Sequence, residues 1–270
     1  MKFSVLMSIY IKENPDWFHL SMVSIWDDQS VKPNEIVLVQ DGDLTPELYL
    51  LITRWKNKLG DVLKCISLKE NVGLGDALNI GLQHCSNEIV ARMDTDDIAI
   101  SERFEKQLAI FKQYDDIDIC SSWITEFDVD QSIITGTRIL PEYHADIANY
   151  AKLRSPINHP AVMYKKSAII KAGGYKRMMW FEDYYLWVRM LLTGSIFYNI
   201  QEPLVHMRAG QGQLERRSGI MYAKSELLLL QKFRKLGFLT SFEFYKVTIL
   251  RVPVRLMPKS LIRTIYNKLR

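Results

Sequence analysis

Apolar and polar positions follow two alternating periods through the first 125 residues. Five short apolar runs, at 3–10, 35–40, 62–68, 88–93 and 117–124, have the length and flanking residues of strands. Between them, stretches at 17–27, 46–59, 74–84 and 102–114 place apolar residues three and four apart, the spacing of one helix face. This alternation predicts an α/β fold, a Rossmann-like, mostly parallel central sheet flanked by helices. In such sheets ligands bind beyond the carboxyl ends of the strands. Asp41, Asn71 and Asp94 each fall just past a predicted strand end, and the run Val72-Gly73-Leu74-Gly75 opens the third helix.

The pattern loosens after residue 125. A strand-like piece at 132–137, a helix near 143–153 and a helix at 183–192 are predicted, the last turning Trp187 and Leu191 toward the core. Residues 207–219 read as a basic, glycine-bearing loop, followed by a helix over 220–236. The remainder, 240–270, is apolar and basic, broken at Pro253 and Pro258. The expected division is a ligand-binding half at 1–125, a second half of the same domain at 126–219 and a C-terminal helical basic extension at 220–270.

Charge sharpens this picture. The net charge is +4, yet residues 231–270 hold ten Lys or Arg and one acid, Glu243, so the preceding body is net acidic. In the tail, Lys246, Arg251, Arg255, Lys259, Arg263 and Lys268 recur at steps of four or five, with Val247, Leu250, Val254, Leu261, Ile265 and Leu269 interspersed. One cationic helical face of this kind suits an anionic membrane surface, and a docking helix for another subunit is the competing reading. No run approaches the 18 apolar residues of a spanning helix, and the N-terminus reads as a first strand and not as a signal peptide. Cys65, Cys85 and Cys120 are odd in number and lack metal spacing, which predicts buried free thiols in a reducing compartment.

The chemistry concentrates in Arg92-Met93-Asp94-Thr95-Asp96-Asp97. Three carboxylates within four positions repel one another unless cations sit among them. An all-oxygen donor set suits Mg²⁺ or Mn²⁺, whose remaining positions go to water and substrate phosphates. Helix capping would explain one or two of these acids. Asp41, beside Gly42, can accept hydrogen bonds from a ribose or a base, or serve as a turn residue. Glu182 and Asp183, in an aromatic setting after Trp180, offer a general base at a helix start. His159 and His206 are open between site and structural roles. Arg208, Arg216 and Arg217 suit a diphosphate clamp or a solvated loop.

Taken together the chain resembles family 2 glycosyltransferases of the GT-A fold. The resemblance rests on residues 3–10 with Glu13, Ser24-Ile25 with Gln29, residues 33–39 with Asp41-Gly42, Glu70–Gly73 leading to Ala77–Asn79, and Arg92–Asp97. Asn158-His159-Pro160, Gly173-Gly174-Tyr175 and Glu182-Asp183 complete it, over roughly residues 1–210. It implies inverting transfer from a nucleotide-diphosphate sugar, with UDP favoured. It places Tyr10, Glu13, Asp41, Asn71, Arg92, Asp94 and Asp96 at the donor nucleotide, with Asp94 and Asp96 as the D-x-D pair that holds Mn²⁺ or Mg²⁺. It makes Asp183, with Glu182, the catalytic acid pair, and sets His159, Trp180, Arg208, Arg216 and Arg217 at the diphosphate or the acceptor. The Q-x-x-R-W motif of processive members is absent, which implies addition of one sugar.

The implied setting is bacterial surface polysaccharide assembly on a lipid-diphosphate-linked acceptor, in the cytoplasm at the inner face of the membrane, with no nucleic acid partner. A nucleotidyltransferase is the first rival, but such enzymes usually carry a glycine-rich basic loop after the first strand, and residues 10–15 here contain no glycine. A non-enzymatic lipid-surface module leaves the acids unexplained, and a glycosidase leaves the metal-type cluster unexplained.

Overall fold

The computed structural model describes residues 1–209 and 218–257. Its sheet has nine strands. β1 (Phe3–Ile9), β2 (Glu35–Gln40), β3 (Leu63–Ser67) and β4 (Ile89–Arg92) are parallel, in the order β3-β2-β1-β4. The second half extends this sheet with mixed directions. Beyond the short β5 (Ile98–Ala99), β6 (Ile117–Phe127) pairs with the hairpin strand β7 (Ile134–Arg138). β8 (Met163–Lys165) runs antiparallel to both β4 and β6, joining the halves. β9 (Ile196–Arg208) lies parallel to β6 and carries β5 on its other edge. The expected division at residue 125 falls inside β6, so the two halves share one sheet.

Helices cover both faces, as the near-continuous burial of β1, β2 and β4 requires. α1 (Pro15–Ile25), α2 (Pro46–Leu59) and a helix at Arg103–Gln113 pack Phe18, Leu48, Trp55 and Phe104 on one face. α3 (Leu74–His84) covers the other, with Ala77, Leu78 and Leu82. It approaches closely: a Cβ added to Gly81 would stand 2.5 Å from Leu6 and 2.6 Å from Val39 side-chain atoms. The helix at Arg103–Gln113 is α4; after it in sequence come α5 (His144–Tyr150), α6 (Lys166–Lys171) and α7 (Glu182–Leu192), whose Ile147, Ile169 and Leu186 join α3 on the second face. Trp187 is fully buried, as predicted; Leu191 is only partly buried against the same cluster.

The sequence reading misses the short β5 and β8 and the long β9. Pro203 and the polar Gln201-Glu202 interrupt the apolar pattern of β9. The ladder to β6 shifts register there, pairing Ser122 with Ile200 and Trp123 with Pro203. The bulge accommodates a proline that cannot donate to the ladder. Met207 and Arg208, predicted in a loop, therefore end a strand. Arg216 and Arg217 lie outside the described residues.

α8 (Ile220–Lys235) and α9 (Ser241–Arg255) pack as a pair on α7, where Tyr184 and Val188 meet Leu229, Phe233, Phe244 and Val247. Two expectations for the tail are corrected. The helix runs through Pro253, which sits in its last turn and removes only one backbone bond near an end. Arg251 and Arg255 do not face a surface: both pair with Glu226 of α8, whose side chain is fully buried. Lys259, Arg263 and Lys268 lie outside the described residues. Among the described residues no helix is long and apolar enough to cross a membrane. Cys65 is half-buried, while Cys85 and Cys120 are buried; all three are free.

Candidate active site

The parallel strands deliver their polar residues to one sheet edge. The Asp41 N–H donates to the Ile9 carbonyl (2.8 Å), and that of Met93 to Leu6 (3.1 Å). The ends of β2 and β4 flank β1, so these two strand ends stand about 10 Å apart, two strand spacings. Asp41 is buried, and its carboxylate accepts the amides of Val72 (2.7 Å) and Gly73 (3.1 Å). Asn71 donates its side-chain amide to the Asp41 carbonyl (3.2 Å). Gly42 turns the chain here with φ of 83°, and a Cβ on it would stand 2.8 Å from the Asn71 nitrogen. Tyr10 is exposed at the end of β1, and its carbonyl accepts the Glu13 N–H (3.0 Å).

The acid loop is built on buried arginines. Arg92, at the end of β4, is 1% exposed and holds both oxygens of Asp94 through its terminal nitrogens. Arg103 is fully buried beneath it and donates to the Arg92 carbonyl (2.7 Å); its Nε donates to Gln107 (3.1 Å). Thr95 donates its hydroxyl to Glu13, and Ser21 donates to the Asp94 carbonyl (2.8 Å). Sequence reasoning missed Arg103 and Gln107; the signal was a pair of polar residues at i and i+4 on the apolar face of their helix.

Carboxylate oxygens of Asp94, Asp96 and Asp97 lie within 4.8 Å of one another. Burial, then the charges of Asp94 and Glu13, push Asp96 up to about 7. Burial, then Asp94 and Asp96, push Asp97 well above the carboxylate range. One Asp97 oxygen accepts the Arg208 N–H (2.8 Å), whereas the other is buried without a hydrogen-bond partner. Crowded acids that resist ionisation, with one orphaned oxygen among them, fit a divalent cation.

Arg208 ends β9 and straps this loop. Its guanidinium lies between Trp17 and Phe127, 4.4 and 4.5 Å from their ring centres, and donates to the carbonyls of Asp96, Asp128 and Val129. It is thus engaged with the protein and is not a side chain on a solvated loop. The His206 imidazole is engaged by the Thr125 hydroxyl, 2.5 Å from its Nδ1.

The second acid pair stands at the start of α7. Trp180 is the one non-glycine residue with positive φ (66°) among the described residues. This strained turn, held by Tyr222 against the rings of Trp180 and Phe181, leads directly into Glu182 and Asp183. Burial, then Asp183, raises Glu182. The Glu182 side chain lies over the first turn of α3, 3.6 Å from where a Gly75 Cβ would be. Tyr175 links the two acid groups. Burial foremost holds its hydroxyl protonated against the Arg92 charge, with Asp183 and Asp94 both adding to the upward shift. That hydroxyl bonds His159 Nε2 (2.9 Å), whose imidazole is kept neutral by burial and by Arg92. Asn79 clasps the Tyr175 backbone, accepting its N–H and donating to its carbonyl, both at 2.8 Å. The motif pieces at 77–79 and 173–175 thereby join α3 to the turn that precedes α7.

Residues 5–173 match the family described as glycosyl transferase family 2. The chain belongs to that family. It is a glycosyltransferase with a GT-A-like fold. It is 40% identical over 267 residues, 99% of this chain and 96% of the other, to the Escherichia coli UDP-Gal:alpha-D-GlcNAc-diphosphoundecaprenol beta-1,3-galactosyltransferase. Among solved structures it is similar to S. aureus TarS 1-349 in complex with UDP-GlcNAc, with a TM-score of 0.68, 19% identity, and coverage of 92% of this chain and 70% of that one. It is also similar to the mannosyltransferase PcManGT from Pyrobaculum calidifontis in complex with GDP-Man and Mn²⁺, with a TM-score of 0.63, 15% identity, and coverage of 99% and 80%. Family membership favours sugar transfer over the nucleotidyl transfer and hydrolysis that the acids alone left open.

Proposed function

We propose that this glycosyltransferase moves one sugar, with inversion, from a UDP-hexose to a hydroxyl of a lipid-diphosphate-linked oligosaccharide during bacterial surface polysaccharide assembly. The observation that carries the reading is the acid cluster, three carboxylates within 4.8 Å of one another with one buried Asp97 oxygen that lacks a hydrogen-bond partner. The donor and acceptor classes are supported by the E. coli relative, which matches over nearly its whole length.

In this reading the nucleoside lies against Tyr10, Glu13, Asp41 and Asn71. Asp41 shapes the loop at Val72 and Gly73 and keeps acceptor capacity for a base or ribose group. Asp94 and Asp96, with Asp97, would hold Mn²⁺ or Mg²⁺. A cation held there would offset charge that builds on the departing diphosphate. Arg92 fixes Asp94, and Arg208 fixes the backbone of Asp96. Trp180, 40% exposed, offers an aromatic face to the acceptor sugar.

Asp183 takes the proton from the acceptor hydroxyl as its oxygen bonds to the anomeric carbon. The bond from that carbon to the diphosphate breaks as the new one forms, through a transition state of oxocarbenium character. Attack opposite the leaving group converts an α-linked donor into a β-linked product.

The test is a panel of nucleotide sugars with Mn²⁺ or Mg²⁺ and a lipid-diphosphate-linked saccharide acceptor, with the product linkage read by NMR. A β-linked product from a UDP-hexose, lost on chelation, is expected. Retention of configuration, or release of free sugar without transfer, overturns the reading.

A further inference from the structure

The face of α9 opposite its packed side is apolar. Phe242, Tyr245, Ile249 and Leu256 are 77%, 58%, 71% and 55% exposed. Steps of three, four and seven residues set them in one stripe along the helix. The buried face, with Phe244, Val247 and Arg255, points the other way. Single exposed apolar residues are ordinary, but four in register on one helix mark a contact surface.

The charges around the stripe identify its occupant. Glu243, the one acid of α9, is drawn away by Lys152 at 2.6 Å and by capping Thr240. Arg251 and Arg255 are turned inward on Glu226. The cations exposed beside the stripe include Arg234, Lys235 and Lys246, and no ion pair among the described residues engages these three. Arg234 lies over the rings of Phe244 and Tyr245, 5.5 and 5.8 Å from their centres, in a groove also lined by Gln231 and Lys235. The sequence after Met257 adds Lys259, Arg263, Lys268 and Arg270 and no acid. A second copy docked on this stripe by a two-fold axis would set cations against cations. A bilayer with anionic headgroups satisfies both the stripe and the cations.

We propose that this face of α9 docks on an anionic lipid surface, with Phe242, Tyr245, Ile249 and Leu256 entering the interface and Arg234 and Lys235 meeting headgroup phosphates. The surface differs from the cationic face that the tail sequence suggests, because Arg251 and Arg255 belong to the interior. The proposal deepens the functional reading, resting on it for the purpose of reaching a lipid-linked acceptor.

The experiment is co-sedimentation of the full chain with vesicles of phosphatidylcholine, with and without phosphatidylglycerol. Binding to the anionic vesicles alone is expected. Phe242→Ser with Ile249→Ser, and separately Arg234→Gln with Lys235→Gln, should each lower partitioning at least about tenfold while leaving the melting temperature in place. Equal binding to both vesicles, or binding untouched by both double variants, overturns the proposal. So does a dimer of the wild-type chain that Phe242→Ser with Ile249→Ser dissolves, since the stripe would then serve a second copy. Transfer to a short-tailed, soluble acceptor without vesicles should match wild type in both variants. Absence of that transfer in the wild type itself would sink the catalytic reading and leave the vesicle result standing.

Discussion

Arg92 grips both carboxylate oxygens of Asp94 from a fully desolvated position at the end of β4. A bidentate pair of this kind fixes direction as well as charge. It leaves the buried Asp97 oxygen beside it with no such partner.

Burial, Asp94 and Glu13 hold folded Asp96 near 7, above its ordinary 3.8. A raised acid favours the folded state below 3.8 and loses that contribution as pH rises through 7. Glu35 acts in the opposite sense: against its burial, Lys64 and Ser4 hold it at about 2, so its contribution fails only as pH falls from 4.5 toward 2. Between pH 5 and 8 the metal-free protein should therefore lose thermal stability through Asp96. Mn²⁺ should raise the melting temperature more at pH 8 than at pH 5.5. Equal shifts at the two pH values would remove Asp96 from the cation site.

The acid of α7 can be separated from the acids of the loop. Asp183→Asn should lower kcat by about 10²–10⁴-fold, the range of a lost general base, with donor KM unchanged. Asp96→Ala should lower turnover and raise donor KM together. Steady-state kinetics with the donor varied distinguishes them, and wild-type turnover in Asp183→Asn would require another base.

Glu226→Gln tests the buried triad of Glu226, Arg251 and Arg255. Two guanidinium groups would lose their carboxylate inside the α8–α9 pair, a loss of about 3–5 kcal/mol. Urea unfolding followed by circular dichroism measures it.

Gly42→Ala should weaken the nucleoside end of the site. The φ of 83° and the 2.8 Å approach to the Asn71 nitrogen leave no room for a Cβ. A loss of about 1–3 kcal/mol in stability is expected, together with weaker UDP binding by calorimetry as the Asp41 carboxylate shifts from Val72 and Gly73.

The parallel half of the fold was legible because its strands are buried on both faces and read as continuous apolar runs. The same property located Asp41, Asn71 and Asp94 at strand ends. β9 was hidden because a bulge at Pro203 splits its pattern, a feature that only pairing with β6 makes sense of. The acid cluster was visible as a cluster, but its foundation was not. Arg103 lies close to the acids in the chain but on the helix that follows them, and only folding turns it back onto the Arg92 carbonyl. The tail misled for a related reason. Periodic arginines look identical whether they meet solvent or a buried acid, and Glu226 sits in a different helix.

That buried acid decides how the C-terminal region can be manipulated. The final helix is not a detachable membrane tether that can be trimmed or grafted onto another protein. Cutting the chain ahead of Arg251 would strand the Glu226 carboxylate in an apolar interior and unsettle Tyr222, which shores up Trp180 beside the acids of α7. Lost activity in such a shortened protein would report a collapsed site, whatever its whereabouts in the cell.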